Sequence, residues 1–349
     1  MPGPLRVLHL AGSAVSDFHA DLSLLYARDC WTATADPDRY DFVAAVVSPD
    51  GRWRFPGDLG PQAIAAAPPV GVGEAVTRLA GAGIDVAVPQ LFCLPGMTSY
   101  RALLDVLAIP YVGNPPDVMA LGAHKARTRA VVAAAGVAVP RGEVLRAGQQ
   151  PTLAPPVVVK PVDADNSLGI SLVREPGEYT AALRSAFAES DVVLVEEYVE
   201  LGREVRCGVV ERHTDAGVDL VALPLEEYAV DPVSKPIRGR DDKLRRDPDG
   251  DLHLVAKDAE HAWILDLDDP ATEAVHAAAR RCHEALGCRD YSLFDFRLDA
   301  QGRPWFLEAG LYCSFARASV VAVMAEANGV HLADLFGEMV AHHVPLAGR

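Results

Sequence analysis

The chain has 349 residues, half of them hydrophobic, and a formal net charge of -16. That length supports two or three domains, each able to bury a core of its own. The acidity leaves no electrostatic footprint for nucleic acid or an anionic membrane, and no run approaches the roughly twenty apolar residues of a membrane helix.

Six scattered cysteines, with no CxxC pair, fit the reduced thiols of a cytoplasmic protein. Cys282, His283 and Cys288 are close in sequence, but their spacing matches no common zinc pattern. The opening MPGPLRVLHLAGS lacks the basic start and long apolar core of a signal peptide.

Leu5 to Leu10, Asp41 to Val47 and Ile84 to Pro89 read as strands, with helices over Val72 to Ala82 and Tyr100 to Ala108 and a further strand at IPYVGN. Such alternation predicts an α/β unit with a parallel sheet. The glycines of VGVGEA, Gly71 and Gly73, follow no clean strand and carry no dinucleotide fingerprint. From about Met119, ALGAHKARTRAVVAAAG predicts one helix stopped at Gly136. Pro151 to Val173 holds two strands around an acidic turn, and Glu178 to Ala188 is helical. Val192 to Val199 is a strand, with Glu204 to Val210 as its expected partner. The charged stretch 231–258 is long enough to predict a lid over a site. A helix over Thr272 to Leu286, strands Tyr291 to Leu298 and Pro304 to Ala309, and helices over Ala316 to Asn328 and Leu332 to His342 complete the chain.

The stretch SLFDFRLDAQGRPWFLEAG, from Ser292 to Gly310, is a hairpin by its alternation and its turn. Leu293, Asp295 and Arg297 share one face; Phe294, Phe296 and Leu298 share the other. If Asp299 pairs with Gly302, Asp295 faces Phe306 and Glu308 is a diagonal neighbour, about 7–8 Å away. Two carboxylates so placed can hold magnesium together with substrate phosphates; a merely solvated charged face is the alternative.

Lys160 ends the apolar run VVVK, just before the loop ADNSLG. Its stem can cross apolar surface while its ammonium meets phosphates, and the loop's backbone N–H groups can close over them. Lys125 is a second candidate. In VEEYVELGRE, backbone groups can bond an adenine edge and Glu204 can accept from ribose hydroxyls.

Together these pieces resemble the ATP-grasp superfamily, and within it the D-alanine–D-alanine ligase group. LLDVLAIPYVGN, VVVKPVDADNSLGIS, LVEEYVELGREV, ALGCRDYSLFDFRLDAQGRPWFLEA and AEANGVHLADL stand in the family's order. The resemblance implies an α/β (α+β) chain of three subdomains: 1–119, 120–194 and 195–349, the last carrying the lid 231–258. ATP would lie between the central and C-terminal ones. It implies phosphate contacts from Lys125 and Lys160, an adenine site at Glu196, Glu197 and Val199, and ribose binding by Glu204. It also implies a lid lysine at Lys243 and Mg²⁺ (or Mn²⁺) on Asp295 and Glu308. Asn166, with Ser167 beside it, stands for the family's substrate-positioning serine, His19 for an ammonium-binding glutamate, and Ser319 for a carboxylate-binding residue. A homodimer is implied as well.

The departures cluster away from the nucleotide. Leu293 replaces an Arg that stabilises the acyl phosphate, and Arg297, on the same face, is the expected substitute. Gly310 replaces a metal-binding Asn. With the nucleotide half kept and the amino-acid half rewritten, the expected function is an ATP-dependent ligase joining two amino acids into a dipeptide or γ-glutamyl amide. A true D-alanine–D-alanine ligase is the alternative, followed by an ATP-grasp kinase or a non-catalytic nucleotide-binding protein.

Overall fold

The computed structural model describes residues 3–164, 168–231, 237 and 261–344, and the backbone of residues 244–246 and 252–254. Among them the chain first forms β1 (Leu5–Gly12), α1 (Asp17–Thr34), β2 (Tyr40–Val47), β3 (Trp53–Arg54), α2 (Pro61–Ala66), α3 (Val72–Gly81), β4 (Val86–Pro89), α4 (Leu94–Met97) and α5 (Ser99–Val106). Then come α6 (Pro116–Gly122), α7 (Lys125–Ala134), β5 (Gly142–Arg146), β6 (Val157–Pro161), β7 (Ser171–Val173), α8 (Tyr179–Phe187) and β8 (Val192–Glu197). The remainder is β9 (Arg203–Thr214), β10 (Gly217–Ala222), β11 (Glu226–Tyr228), β12 (Leu244–Arg246), β13 (Leu252–Leu254), β14 (Ala262–Ile264), α9 (Thr272–Leu286), β15 (Tyr291–Leu298), β16 (Pro304–Gly310), α10 (Val320–Ala327) and α11 (Leu332–His343).

The first sheet runs β3-β2-β1-β4, with β1 parallel to both neighbours as the alternation predicts. The strand expected at IPYVGN shrinks to one parallel bridge, Ala87 to Tyr111. Pro110 has no N–H to give a ladder, and Gly113 turns left-handed at φ 97.

The second sheet, β5-β8-β6-β7, is antiparallel and packs α8 against valines of β6 and β8. The third, β14-β11-β9-β15-β16 with β10 on β9, is also antiparallel and packs α9 on its apolar face. A core shared by Val7, Val88, Val210, Phe336 and Met339 joins the first sheet, the third sheet and α11. Within the long charged stretch, β12 pairs with β13.

Two expectations are corrected. The segment after β8 is not its partner: β8 pairs with β5 and β6, whereas β9 joins the third sheet. The crossing is made at Gly202, where a Cβ would come within 2.8 Å of the carbonyl oxygens of Leu298 and Asp299. The helix expected from Met119 to Gly136 is broken between α6 and α7. There Lys125 N–H donates to the Val162 carbonyl at 2.8 Å, which docks the start of α7 on the second sheet.

Candidate active site

Between the second and third sheets lies a cleft of about 740 Å³, counting the space open to solvent. Lys125, Lys160, Glu196, Glu197, Val199 and Glu204 line it, as do Asp295, Arg297 and Glu308. Nine of the expected site residues, from six elements and one connection, therefore meet in one place. Val158 of β6 and Leu307 of β16 add apolar surface, and Ile237 reaches the cleft from the long charged stretch.

Lys160 is buried at the inner end of β6, and its Nζ sits 2.5 Å from Glu196 Oε2. The other oxygen of Glu196 accepts from Arg129 Nε at 3.0 Å. One buried carboxylate thus balances two cations, which is how a lysine tolerates the end of an apolar strand. Lys125 Nζ donates to the Ala164 carbonyl at 2.6 Å and pairs with Glu308 Oε1 at 3.1 Å, tying the loop after β6 to the third sheet.

The hairpin register differs from the expected one. Asp295 is paired directly with Glu308, and Phe296 with Phe306. Leu307 is the extra residue of a β-bulge, which leaves two residues on β16 against one on β15. The slip turns Phe306 into the core, where its ring lies 6.3 Å from Phe294 and 6.2 Å from Phe296. Leu307 and Glu308 both face the cleft. Strict alternation had placed Phe306 beside Asp295 and Leu307 on the apolar side; the bulge reverses both and shortens the carboxylate separation.

The polar faces of β9 and β15 carry complementary charges. Glu204 is opposite Arg297, and Arg206 is opposite Asp295. Arg297 Nη2 donates to Glu204 Oε2 at 2.7 Å and Nη1 to the Val199 carbonyl at 3.2 Å. Arg297 thus lines the same cleft but is engaged where β8 leads into β9. The guanidinium beside Asp295 is that of Arg206, at 2.7 Å from Oδ1 and 3.4 Å from Oδ2. Arg206 also lies over the Tyr228 ring, 5.0 Å from its centroid, and opposite Glu226 in register. Burial alone would lower its pKa, but Asp295, Tyr228 and Glu226 outweigh that and raise it. A row Glu226–Arg206–Asp295–Glu308–Lys125 therefore crosses the sheet with alternating sign, except where the two carboxylates adjoin. Sequence reasoning missed Arg206, although it follows Glu204 by two residues and so shares its face.

His19 and Ser319 lie outside this cleft. His19 Nδ1 is 2.9 Å from Ser16 Oγ at the start of α1. Ser319 is the N-cap of α10, accepting from Ala322 N–H at 3.4 Å. Asn166, Ser167 and Lys243 lie outside the described residues, as does most of 231–258.

Two antiparallel sheets gripping a cleft of lysines and facing carboxylates define an ATP-grasp enzyme, and among these an ATP-dependent carboxylate–amine ligase. The family model for the D-Ala–D-Ala ligase C-terminus matches residues 137–230 and 253–341, more than half of the chain. A D-alanine–D-alanine ligase of Mycolicibacterium gilvum is 30% identical over 336 residues, covering 87% of this chain and 88% of that protein. One of Mycolicibacterium smegmatis is 29% identical over 382 residues, covering 97% and 95%. Among solved structures, the VanG D-Ala:D-Ser ligase from Enterococcus faecalis superposes with a TM-score of 0.77 at 21% identity, covering 98% of this chain and all of that one. The D-alanine–D-alanine ligase from Bacillus anthracis complexed with ATP gives 0.69 at 19% identity, covering 97% of each. The chain belongs to the D-alanine–D-alanine ligase family. These relatives favour the D-alanine–D-alanine reading, second in the sequence analysis, over the broader dipeptide or γ-glutamyl one.

Proposed function

We propose that this enzyme joins two D-alanine molecules at the expense of ATP. The observation that carries the reading is the meeting of Lys125, Lys160, Asp295 and Glu308 in one cleft, since these four suit a triphosphate and its metal.

Adenine lies against Val158 and Leu307, with its edge on the backbone from Glu197 to Val199, and Glu204 accepts from the ribose. Lys160 and Lys125 hold the phosphates, and each must loosen its present carboxylate partner to do so. Asp295 and Glu308 are hard oxygen donors facing each other across neighbouring strands, which fits Mg²⁺ shared with phosphate oxygens. Gly310, opposite Leu293, adds no side-chain ligand. Bound there, Mg²⁺ would offset phosphate charge and align the γ-phosphoryl group.

The chain's own residues then act by position and charge. The first substrate's carboxylate attacks the γ-phosphorus and ADP departs, leaving an acyl phosphate. The second substrate's amine attacks that carbonyl, loses a proton, and phosphate leaves as the amide forms. Arg206, steadied by Asp295, supplies the positive charge that Leu293 cannot. Ile237, which lines the cleft, adds apolar cover that helps keep water from the acyl phosphate.

Incubation with ATP and D-alanine, reading phosphate release and product mass, tests this: D-alanyl-D-alanine is expected. The pairing of His19 with Ser16, where the family has an ammonium-binding carboxylate, favours a second reading with another amino acid in the first position. A panel of amino acids in the same assay separates the two. An absence of ADP above buffer with every pair would refute both.

A further inference from the structure

Four of the chain's eleven histidines converge far from the cleft, where the end of β9, the turn before β15 and the last turn of α11 meet. They are His213, His283, His342 and His343, and they surround Glu211 and Asp290. His213 lies seven residues along β9 from Arg206, about 23 Å at the rise of an extended strand. Nothing in the ligase reaction uses this cluster.

One nitrogen from each of His213 and His342 and one carboxylate oxygen of Asp290 lie within 4.8 Å of one another. The two imidazole rings are 3.9 Å apart at their centroids and tilted by 40°. His342 Nδ1 is buried and meets no hydrogen-bond partner among the described residues. Two imidazoles this close, one holding an unsatisfied buried nitrogen, leave a polar gap that a cation with affinity for nitrogen would fill.

We propose that His213, His342 and Asp290 form a zinc-type transition-metal site that fastens the end of α11 to the third sheet. Asp290 is held for this role. It is buried, its backbone is left-handed at φ 65, and its Oδ2 accepts from His343 Nε2 at 2.7 Å and from Gly113 N–H at 2.5 Å. Glu211 fixes the same turn by accepting from Asp290 N–H at 2.8 Å, and it lies 3.7 Å from His213 Nε2 and 3.3 Å from His283 Nε2. Carboxylates and carbonyls that orient ligands from behind are the usual outer ring of a metal site.

Ligand atoms around tetrahedral zinc are separated by about 3.4 Å, given bonds near 2.0–2.1 Å. From within 4.8 Å of one another the three need draw in by at most about 1.4 Å, and exposed His213, at the end of its strand, has the freedom to do so. Three protein ligands leave a fourth position for water.

The test uses the full chain stripped with a chelator and then titrated with Co²⁺ or Zn²⁺. The Co²⁺ complex should show visible absorption of a four-coordinate ion at one equivalent, and Zn²⁺ should raise the Tm. His213→Ala and His342→Ala should each weaken binding by at least about tenfold, since even outer-ring losses cost that much. Both should remain folded, and His213→Ala should keep the ligase rate. Asp295→Asn, in the cleft, should leave this binding unchanged. Equal Co²⁺ affinity in wild type and both histidine variants, or no Tm shift with Zn²⁺, would overturn the site. Either result leaves the ligase reading untouched.

Discussion

Replacing Arg206 by Met should cut the ligase rate by about 10²–10³-fold, the usual loss when one preorganised donor to a developing oxyanion is removed. The structure supports that size. The guanidinium lies 2.7 Å from Asp295 and is largely shielded from water. Unit charges about 4 Å apart at an effective dielectric of 20 interact by about 4 kcal/mol, which matches the upper end of the roughly 2.7–4 kcal/mol of the expected rate loss. In the proposed site the triphosphate rests on Lys125 and Lys160 rather than on Arg206, so the KM for ATP should change little. Arg206→Lys keeps the charge but not the two-point contact with both Asp295 oxygens, and should recover part of the rate. The assay is steady-state ADP release at saturating ATP, with product mass as a second readout and circular dichroism to confirm folding. A folded Arg206→Met enzyme with kcat within threefold of wild type, or one altered only in KM, would show that Arg206 merely balances Asp295.

Asp295→Asn should shift the Mg²⁺ requirement upward and lower kcat, with Glu308→Gln acting in the same direction; a metal titration of ADP release unchanged in both variants counts against the carboxylate pair. Glu204→Ala should raise the KM for ATP and destabilise the fold by about 3–5 kcal/mol, because it strips the carboxylate from buried Arg297; urea unfolding would reveal a smaller loss if Arg297 finds a new partner. His9 gives a pH prediction. It is fully buried in β1 between Trp31, Phe42 and Phe336, and burial lowers its pKa to about 4 from the ordinary 6.5. The unfolded chain therefore binds the proton first, and stability present above pH 6.5 is lost as pH falls toward 4. At pH 5 the loss is about 2 kcal/mol. Relative to His9→Phe, wild type should lose that much more stability between pH 7 and pH 5, and parallel curves would refute it.

Much of the cleft was legible in residue order. Lys160 ends a run of valines, Asp295 alternates with phenylalanines, and Glu204 follows a strand exit; apolar periodicity and charge placement mark such positions without tertiary knowledge. Lys125, Lys160, Glu204, Asp295 and Glu308 were named from the residues themselves, whereas Glu196, Glu197, Val199 and Arg297 came from the family resemblance. The hairpin failed at one point. A bulge adds a residue without any signature that periodicity can read, so Phe306 and Leu307 exchanged faces. Strand partners failed similarly at β8 and β9, since a short polar connection after a strand can end a sheet as readily as turn back along it.

Composition, element order and the alternating faces of single strands follow from local chemistry, because side-chain direction repeats every two residues in a strand and every 3.6 in a helix. The partners of Arg206 and Arg297, the salt bridge from Lys125 to Glu308 and the convergence of His213, His342 and Asp290 do not. Each joins residues tens to more than a hundred positions apart. Such contacts depend on strand register and on how separate layers pack, quantities that local propensity leaves open and that only the folded core resolves.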